Sequence, residues 1–290
     1  MSNLALAQFK HLHEYAKNID DLACQALLDE VSLKYKPGLV CPESCGSHYD
    51  MDYALFLKSI EALRGYFSKQ VCNGYHQCAL NDIRACGIQA EQDMLGATEG
   101  VNTHKGAIFN LGFACAAIGR CLSEGQNITA MNIATMIKQC WAFDLLHHFQ
   151  RQDGSHGQQV RQKYAVNGAI EEVASGFQTV LNVALPLFQH TYSQLKDKPL
   201  AALQTLFALI STVQDTKMVW RGGLSSLFIA QDLAKNFLDL GGVYQCDWVI
   251  QVQEMNHYFL NNRLSPGGSA DLLGVTLFLD QVEHELSYSL

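Results

Sequence analysis

The composition of this 290-residue chain excludes a disordered protein and argues against a nucleic-acid-binding one. Hydrophobic residues make up 48% of the sequence and charged residues 17%, proportions that are ordinary for a compact globular fold. The net charge is −8 at pH 7, and an acidic surface repels DNA and anionic lipid. We therefore expect no nucleic-acid partner and no membrane partner, although a local basic pocket for a small polyanionic substrate remains compatible with this charge.

The N-terminal segment and the cysteines favour a cytoplasmic protein. The segment MSNLALAQFKHLHEYAKNIDD has no basic leader followed by an apolar run, so we predict no signal peptide. No stretch has about 18 uninterrupted apolar residues, so we predict no transmembrane helix. The ten cysteines do not follow a zinc-ligand spacing, and we expect reduced thiols that are mostly small buried side chains.

Helical periodicity recurs along the chain, in the segments 51–67, 107–121, 128–149 and 270–286. The five prolines and the scarcity of alternating β-branched runs favour helices throughout, and glycine-bearing turns separate them. We predict one all-α domain over residues 1–290, with its active site in the glycine-rich loops between helices. The alternative is two helical halves that meet near residues 153–157.

The first polar segment, GSHYDMDYALF, contains His48, Asp50 and Asp52. Two carboxylates two residues apart in a loop can share a hard cation, and Mg²⁺ is the usual partner of a triphosphate. The structural alternative is that Asp50 caps the following helix and Asp52 is solvated.

A polar stripe follows on the segment LNDIRACGIQAEQDMLGAT, where Arg84, Gly87, Glu91 and Thr98 share one helical face. A buried polar stripe is costly unless its members are paired. It is therefore either a structural Arg84–Glu91 pair or the wall of a pocket. The later segment YAVNGAIEEVASGF adds Glu172 on another predicted helix.

The segment GVNTHKGAIFNLG predicts the start of a helix. Thr103 is placed to cap it, which puts Lys105 in the first turn, where a lysine opposes the helix dipole. A phosphate bound at that end would be held by the lysine and by the free backbone amides together. The alternative is that Lys105 is simply solvated.

The segment WRGG places Arg221 beside Gly222 and Gly223. Glycines allow the backbone to approach a ligand closely, and a guanidinium grips phosphate through two donors. The alternative is that this segment forms a turn at the end of a helix and that Arg221 is a surface side chain.

The segment LSPGGSADLLGV leads into the last predicted helix. Ser265 caps that helix with Pro266 in its first position, or Ser269 caps a later start. Asp271 suits the beginning of a helix electrostatically without any catalytic role. The segment indicates an anion site and gives little indication of catalysis.

Together these segments resemble the triphosphoribosyl-dephospho-CoA synthase family. The similarity runs from residue 30 to residue 279, with the motifs in the same order. They are EVSLKYKPGLV, GSHYDMD, GIQAEQDMLGATEGVNTHKGAIFNLG, YAVNGAIEEVASGF followed by ALP, WRGG, and NRLSPGGSADLLGVTLFL. The third and the last are long enough that chance does not explain them.

The resemblance implies an all-α enzyme that moves the 5-triphosphoribosyl group of ATP onto the ribose 2′-hydroxyl of 3′-dephospho-CoA and releases adenine. The product would become the prosthetic group of an acyl carrier protein. The segment GSHYDMDYALFLKSIEALRGYF is closer to the branch that serves malonate decarboxylase than to the branch that serves citrate lyase. Mg²⁺ is expected with ATP, and both a homodimer and a downstream holo-acyl carrier protein synthase are compatible with this activity.

The resemblance also implies that the polar residues of these separate segments act in one reaction. Asp50 and Asp52 would hold magnesium or activate the hydroxyl, while Glu91 and Glu172 would stabilise the sugar cation or act as the base. Lys36 would lie near a phosphate of the coenzyme. The other residues implied in binding ATP and its phosphates are His48, Asn102, His104, Lys105, Arg221, Gly222, Gly223, Ser265, Gly267 and Gly268.

Three positions depart from the family pattern and leave the acceptor open. Cys41 follows PGLV where the family often has aspartate, Ile170 replaces a common arginine, and Lys217 stands where we expect asparagine. One rival function is therefore a Mg²⁺-dependent helical hydrolase that cleaves an ADP-ribosyl or nucleoside N-glycosidic bond with water. Another is a non-catalytic scaffold or nucleotide sensor, which does not explain the charged residues and glycines at the predicted helix starts.

Overall fold

The computed structural model describes residues 3–148, 159–160, 163–164 and 166–286, and helices dominate this part of the chain. The α-helices are α1 (Asn3–Ser32), α2 (Tyr53–Leu63), α3 (Tyr66–Tyr75), α4 (Leu80–Ala97), α5 (Lys105–Ser123), α6 (Ala130–Cys140), α7 (Ala142–His148), α8 (Ala169–Ala174), α9 (Leu185–Leu195), α10 (Lys198–Thr212), α11 (Thr216–Asp239), α12 (Trp248–Asn261) and α13 (Gly267–Leu286). A π-helical segment, Val180–Ala184, precedes α9, and a short 3-10 helix, Gly242–Tyr244, follows α11.

The all-α prediction is confirmed. In the described residues the only β-type pairing is an isolated bridge between Cys41 and Ser44. The boundary between two halves that we considered near residues 153–157 lies outside the described residues.

Two predicted helices are each split in two. The segment 51–67 breaks at Gly65, whose left-handed backbone (φ 86°) ends one helical path and starts another. The Asp20 carboxylate on α1 stabilises the break, because it accepts hydrogen bonds from the backbone N–H groups of Gly65 and Ser68. The segment 128–149 breaks at Trp141, whose backbone leaves the helical region.

Helix α5 is the centre of the fold and packs against α3, α4, α6 and α13. Close approach to α3 requires small residues: a Cβ on Gly119 would lie 1.9 Å from the Val71 carbonyl oxygen, and one on Gly74 would lie 1.8 Å from the Ala116 oxygen. Helix α5 is also long and apolar enough to cross a membrane, but 72% of its most apolar window is buried within the protein. Such burial is typical of a core helix.

Three helices begin at the same place in the fold. The Asp215 carboxylate accepts hydrogen bonds at Oδ1 from the Lys217 and Met218 amides at the start of α11. At Oδ2 it accepts from the Gly268 amide (2.7 Å) and the Ser269 amide (3.2 Å) at the start of α13. One buried carboxylate therefore caps two helices.

The first turn of α5 reaches the same point. Gly106 lies against the Asp271 side chain of α13, so closely that a Cβ on Gly106 would lie 1.9 Å from Asp271 Oδ2. The starts of α5, α11 and α13 thus surround one region of the molecule, and this convergence positions the site.

Candidate active site

A cavity of about 810 Å³ opens where these helices begin, and most of the predicted polar segments contribute to its wall. This volume is within the range of small-molecule sites. The predicted site residues that line it are Lys36, His48, Glu91, Asn102, His104, Lys105, Arg221, Ser265 and Gly267. Segments more than 200 residues apart in the sequence therefore meet around one hollow.

The cavity is basic although the whole chain is acidic. Five lysine and arginine side chains line it, against three carboxylates. The cations are Lys36, Arg84, Lys105, Lys217 and Arg221, and the acids are Glu30, Glu91 and Asp271. On a chain with a net charge of −8, this local excess of positive charge is the electrostatic signature of a polyanion site.

Lys217 and Arg221 at the start of α11 form what we call the basic wall, and another part of the lining, the apolar wall, is hydrophobic. Helices α3, α4 and α5 supply it with the side chains of Tyr66, Ile83, Ile88, Phe109 and Phe113. A flat aromatic group can pack against such a wall while a charged group on the same ligand contacts the basic one.

His48 links two glycine segments at the basic wall. Its Nε2 lies 2.9 Å from Ser265 Oγ, and its Nδ1 lies 3.2 Å from Nη2 of Arg221. The guanidinium only donates, so Nδ1 is the acceptor and Nε2 carries the proton that it donates to Ser265. Burial, followed by the Arg221 charge, lowers the pKa of His48 to about 4, so the ring is neutral at pH 7.

His104 is buried at the start of α5 and has one ring nitrogen without a partner. Thr103 Oγ1 donates to Ser59 Oγ (2.7 Å), and Ser59 Oγ lies 2.6 Å from His104 Nδ1. Ser59 therefore donates to Nδ1, and Nε2 carries the ring proton. In the described part of the chain Nε2 has no hydrogen-bond partner and almost no accessible surface, so a ligand reaches this neutral donor only if the surrounding side chains move.

We expect the free energy of unfolding to fall as the pH drops below about 6.5, in part because of His104. Burial, with the Lys217 and Lys36 charges, lowers the pKa of its ring to about 3. Stability that depends on the neutral ring is complete above the unfolded-state pKa and is lost as the pH falls towards the folded-state value. One such group contributes a slope of about 1.4 kcal/mol per pH unit in between.

Urea titrations of wild type and His104→Asn between pH 7 and 4.5 measure this contribution, since asparagine can still accept the hydrogen bond from Ser59. The stability of the variant should fall less steeply than that of wild type. The same substitution at exposed His257 is the control. Parallel curves for wild type and His104→Asn would show that the ring is not held neutral.

Two ion pairs occupy other predicted positions. Lys36 Nζ lies 2.7 Å from Glu30 Oε1 and also donates to the Glu30 carbonyl oxygen, and both side chains are almost fully buried. Lys105 Nζ lies 3.1 Å from Glu91 Oε2, and both of these side chains are partly exposed. The stripe that contains Arg84 and Glu91 is a cavity wall, and Glu91 pairs with Lys105.

A third pair, which the sequence analysis did not assign, lies between α11 and α13. Lys217 Nζ lies 3.0 Å from Asp271 Oδ2. Burial raises the pKa of Asp271, and the Lys217 charge offsets this only in part. Desolvation at the cavity wall lowers the pKa of Lys217, but the Asp271 and Asp215 charges outweigh it, so the pKa is raised.

The predicted acids Asp50 and Asp52 lie outside the cavity wall. Asp52 caps α2 and accepts a hydrogen bond from the Leu55 amide (2.8 Å), while Asp50 is exposed, 3.9 Å from His48 Nδ1. In the described ranges no group of three His, Cys, Asp or Glu side chains is arranged to hold a metal ion. Their assignment as magnesium ligands stays a prediction, and we derive no step from a protein-held metal.

Glu172 and three of the predicted glycines also lie outside the cavity wall. Glu172 accepts hydrogen bonds from the Thr179 amide and hydroxyl, each at 2.8 Å. Gly222 and Gly223 lie within α11, which kinks at Gly223 (φ 75°), and the Gly268 amide is bonded to Asp215. Their roles in binding or catalysis stay predictions, and the Gly268 amide needs Asp215 to move before it can bind phosphate.

Sequence reasoning missed three acidic residues that organise the site. Asp215 directly precedes α11, so its role as a local N-cap has a sequence signal, but its second bond to α13 has none. In the sequence, Asp271 fits a purely electrostatic role at the start of a helix, and Glu30 lies at the edge of the motif EVSLKYKPGLV. A carboxylate that reaches across to another helix is not visible in local sequence.

Comparison with known proteins shows the family of this chain. The family model described as ATP:dephospho-CoA triphosphoribosyl transferase matches residues 16–289. A relative from Acinetobacter calcoaceticus, named probable 2-(5''-triphosphoribosyl)-3'-dephosphocoenzyme-A synthase, is 56% identical over 277 residues, which cover 96% of this chain and 95% of the relative.

More distant relatives carry the same description. A 2-(5''-triphosphoribosyl)-3'-dephosphocoenzyme-A synthase from Escherichia fergusonii is 40% identical, and a probable synthase 1 of this type from Salmonella choleraesuis is 38% identical. Each match covers 91% of this chain and 90% of the relative. No solved structure matches the chain. The full-length family match and these identities establish that the chain belongs to the ATP:dephospho-CoA triphosphoribosyl transferase family.

Proposed function

We propose that this chain transfers the 5-triphosphoribosyl group of ATP to the ribose 2′-hydroxyl of 3′-dephospho-CoA and releases adenine. The observation that carries the proposal is the excess of cations in one cavity of an otherwise acidic chain. Both substrates are polyanions that an acidic surface would repel. The family match and the names of the relatives supply the reaction.

The two walls of the cavity suit the two ends of ATP. The triphosphate, which the reaction retains, contacts Lys217 and Arg221 on the basic wall. The adenine packs against the apolar wall that includes Phe109 and Phe113. Cleavage of the bond between the ribose and adenine passes through an oxocarbenium-like state, which a nearby carboxylate stabilises.

Magnesium enters, in this proposal, as part of the Mg–ATP substrate. Mg²⁺ bound with a nucleotide usually keeps several waters and takes one or two carboxylates together with phosphate oxygens. Asp50 is exposed, and its Oδ1 lies 3.9 Å from Nδ1 of His48, which lines the cavity. If Asp50→Asn has an unchanged Mg²⁺ requirement, Asp50 is not a ligand of the magnesium ion bound with ATP.

The product serves, in this proposal, as the precursor of the prosthetic group of the malonate decarboxylase acyl carrier protein in the cytoplasm. The support is the resemblance of residues 46–67 to that branch. Supplying the purified product and a holo-acyl carrier protein synthase to the apo-carrier proteins of malonate decarboxylase and citrate lyase tests this assignment. Preferential modification of the citrate lyase carrier would contradict it.

The reaction itself is tested by mixing the enzyme, ATP, Mg²⁺ and dephospho-CoA and separating the products by chromatography. We expect one adenine for each dephospho-CoA that gains a triphosphoribosyl group. A hydrolase would instead yield adenine and free ribose triphosphate while dephospho-CoA stays unmodified. A nucleotide sensor would bind ATP in a calorimeter and yield neither product.

A further inference from the structure

Asp271 lies between Lys217 of the basic wall and the first turn of α5, the helix that carries Phe109 and Phe113 of the apolar wall; we call this position the junction. Its Oδ2 lies 3.0 Å from Lys217 Nζ on the basic wall, and the same carboxylate lies against Gly106 in the first turn of α5. The next turns of α5 carry Phe109 and Phe113 to the apolar wall. The carboxyl is largely buried, with 13% of the side chain exposed.

The covalent structure of ATP predicts which of its groups lies at this junction. The ribose lies between the triphosphate and the adenine, so an ATP molecule that spans the two walls places its ribose at the junction. A carboxylate there faces the anomeric carbon and the acceptor hydroxyl that approaches it. This argument rests on the proposed function and on the position of Asp271 between the two walls.

The other acids near the cavity are less suited to this role. Glu30 is held by Lys36 in a buried pair, and Glu91, which pairs with Lys105, has 28% of its side chain exposed against 13% for Asp271. Glu172 accepts two hydrogen bonds from Thr179 outside the cavity wall. The partner of Asp271, Lys217, has 48% of its side chain accessible to solvent, so it can turn to a phosphate and leave the carboxylate available.

We propose that Asp271 is the general base of the transfer and that Gly106 is required to admit its carboxylate. The O–H bond of the acceptor 2′-hydroxyl breaks and its proton passes to Asp271. The oxygen forms a bond to the anomeric carbon while the bond from that carbon to adenine N9 breaks, and the electron pair leaves with adenine. Adenine then takes a proton from water, and Asp271 returns its own proton to water.

The protonation behaviour of Asp271 is consistent with this role. Its burial raises its pKa, and the nearby Asp215 and Glu30 charges act in the same direction. A base works best when its pKa approaches the working pH. We therefore expect kcat of the wild type to rise with pH through an ionisation that belongs to this carboxyl.

The deciding experiment compares Asp271→Asn with wild type and with Asp280→Asn. Asp280 is on the same helix, accepts a hydrogen bond from Gln189 and does not line the cavity. We expect Asp271→Asn to lower kcat by about 10²–10⁴-fold and to abolish the rise of kcat with pH. Asp280→Asn should keep both, and the affinity of Asp271→Asn for ATP, measured by calorimetry, should stay near that of wild type.

Gly106→Ala provides a second variant that keeps the carboxylate and displaces it. Its Cβ would lie 1.9 Å from Asp271 Oδ2, and a misplacement of about 1 Å can cost on the order of 10²-fold in rate. If Asp271→Asn fails to fold, Gly106→Ala carries the test. The proposal would be overturned if either folded variant kept the kcat of the wild type. It would also be overturned if Glu91→Gln, and not Asp271→Asn, abolished the rise of kcat with pH.

Different results would contradict this inference and the proposed function. If wild type forms no triphosphoribosylated dephospho-CoA, the function is wrong. If wild type forms it and Asp271→Asn does so equally well, only the role of Asp271 is wrong.

Discussion

Replacing Lys36 by methionine is expected to lower the free energy of unfolding by about 3–5 kcal/mol. Lys36 and Glu30 form an ion pair with side-chain exposures of only 1% and 9%, and Lys36 also bonds the Glu30 carbonyl oxygen. The substitution leaves a buried carboxylate without its counter-charge and a backbone oxygen without its donor. Urea denaturation at pH 7 measures the loss.

The neighbouring pair gives a matched control for the Lys36 prediction. Lys34 pairs with Glu43 at the surface, where more than half of each side chain is exposed, so Lys34→Met should change stability little. The double variant Lys36→Met/Glu30→Leu should recover part of the loss, because two apolar groups can replace a buried pair. A Lys36→Met protein as stable as Lys34→Met would contradict the burial of this pair.

Replacing Arg221 by alanine is expected to weaken ATP binding by about 10- to 150-fold. In the described part of the chain, Arg221 has no carboxylate within ion-pair distance. Its donors contact the Ser47 and Arg263 carbonyl oxygens, each at 3.3 Å, and the neutral ring of His48. These long contacts to neutral acceptors are weak, so the guanidinium is available to phosphate, and a charge-assisted hydrogen bond contributes about 1.5–3 kcal/mol.

Two measurements separate a binding role of Arg221 from a structural one. Calorimetry gives the ATP affinity of Arg221→Ala and of Arg64→Ala, whose parent arginine pairs with Asp21 and Glu61 away from the cavity. The pKa of His48, measured by NMR titration, reports the electrostatic effect of the Arg221 charge on this ring. The pKa of this ring, about 4 in the wild type, should rise when the Arg221 charge is removed. Unchanged ATP affinity with a shifted His48 would assign Arg221 to structure alone.

Features of the fold that depend on neighbouring residues could be predicted from the sequence. Apolar spacing predicts the helices around α5 and α13. A polar cap just before α5 is also predicted, but Asn102 accepts the hydrogen bond from the Lys105 amide, whereas the expected cap, Thr103, donates to Ser59. These signals lie within about one helical turn of the feature they specify. They are therefore present in any short window of the sequence.

Features that depend on distant residues could not be predicted in this way. The apolar spacing continues through residues 51–67, yet Asp20 on α1 stabilises a break at Gly65. Asp215 similarly ties α13 to α11 across 53 residues of sequence. Such bonds depend on which helices pack together, and that is decided by the whole core.

In the candidate site, too, some features could be predicted from local sequence and others could not. Lys105, Arg221 and Gly267 line one cavity, and their roles in binding phosphate stay predictions. The carboxylates were harder to assign, because an acid that caps its own helix and an acid that faces a cavity look alike in sequence. Asp52 is of the first kind and Asp271 is of the second.

The most direct test of a single ATP site is a crystal structure of Asp271→Asn soaked with ATP and Mg²⁺. We expect the triphosphate within hydrogen-bond distance of Lys217 and Arg221, the adenine against Phe109 and Phe113, and the anomeric carbon facing residue 271. ATP bound on another surface, with the cavity between α5, α11 and α13 filled only by water, would contradict the convergence of these helix starts into a nucleotide site.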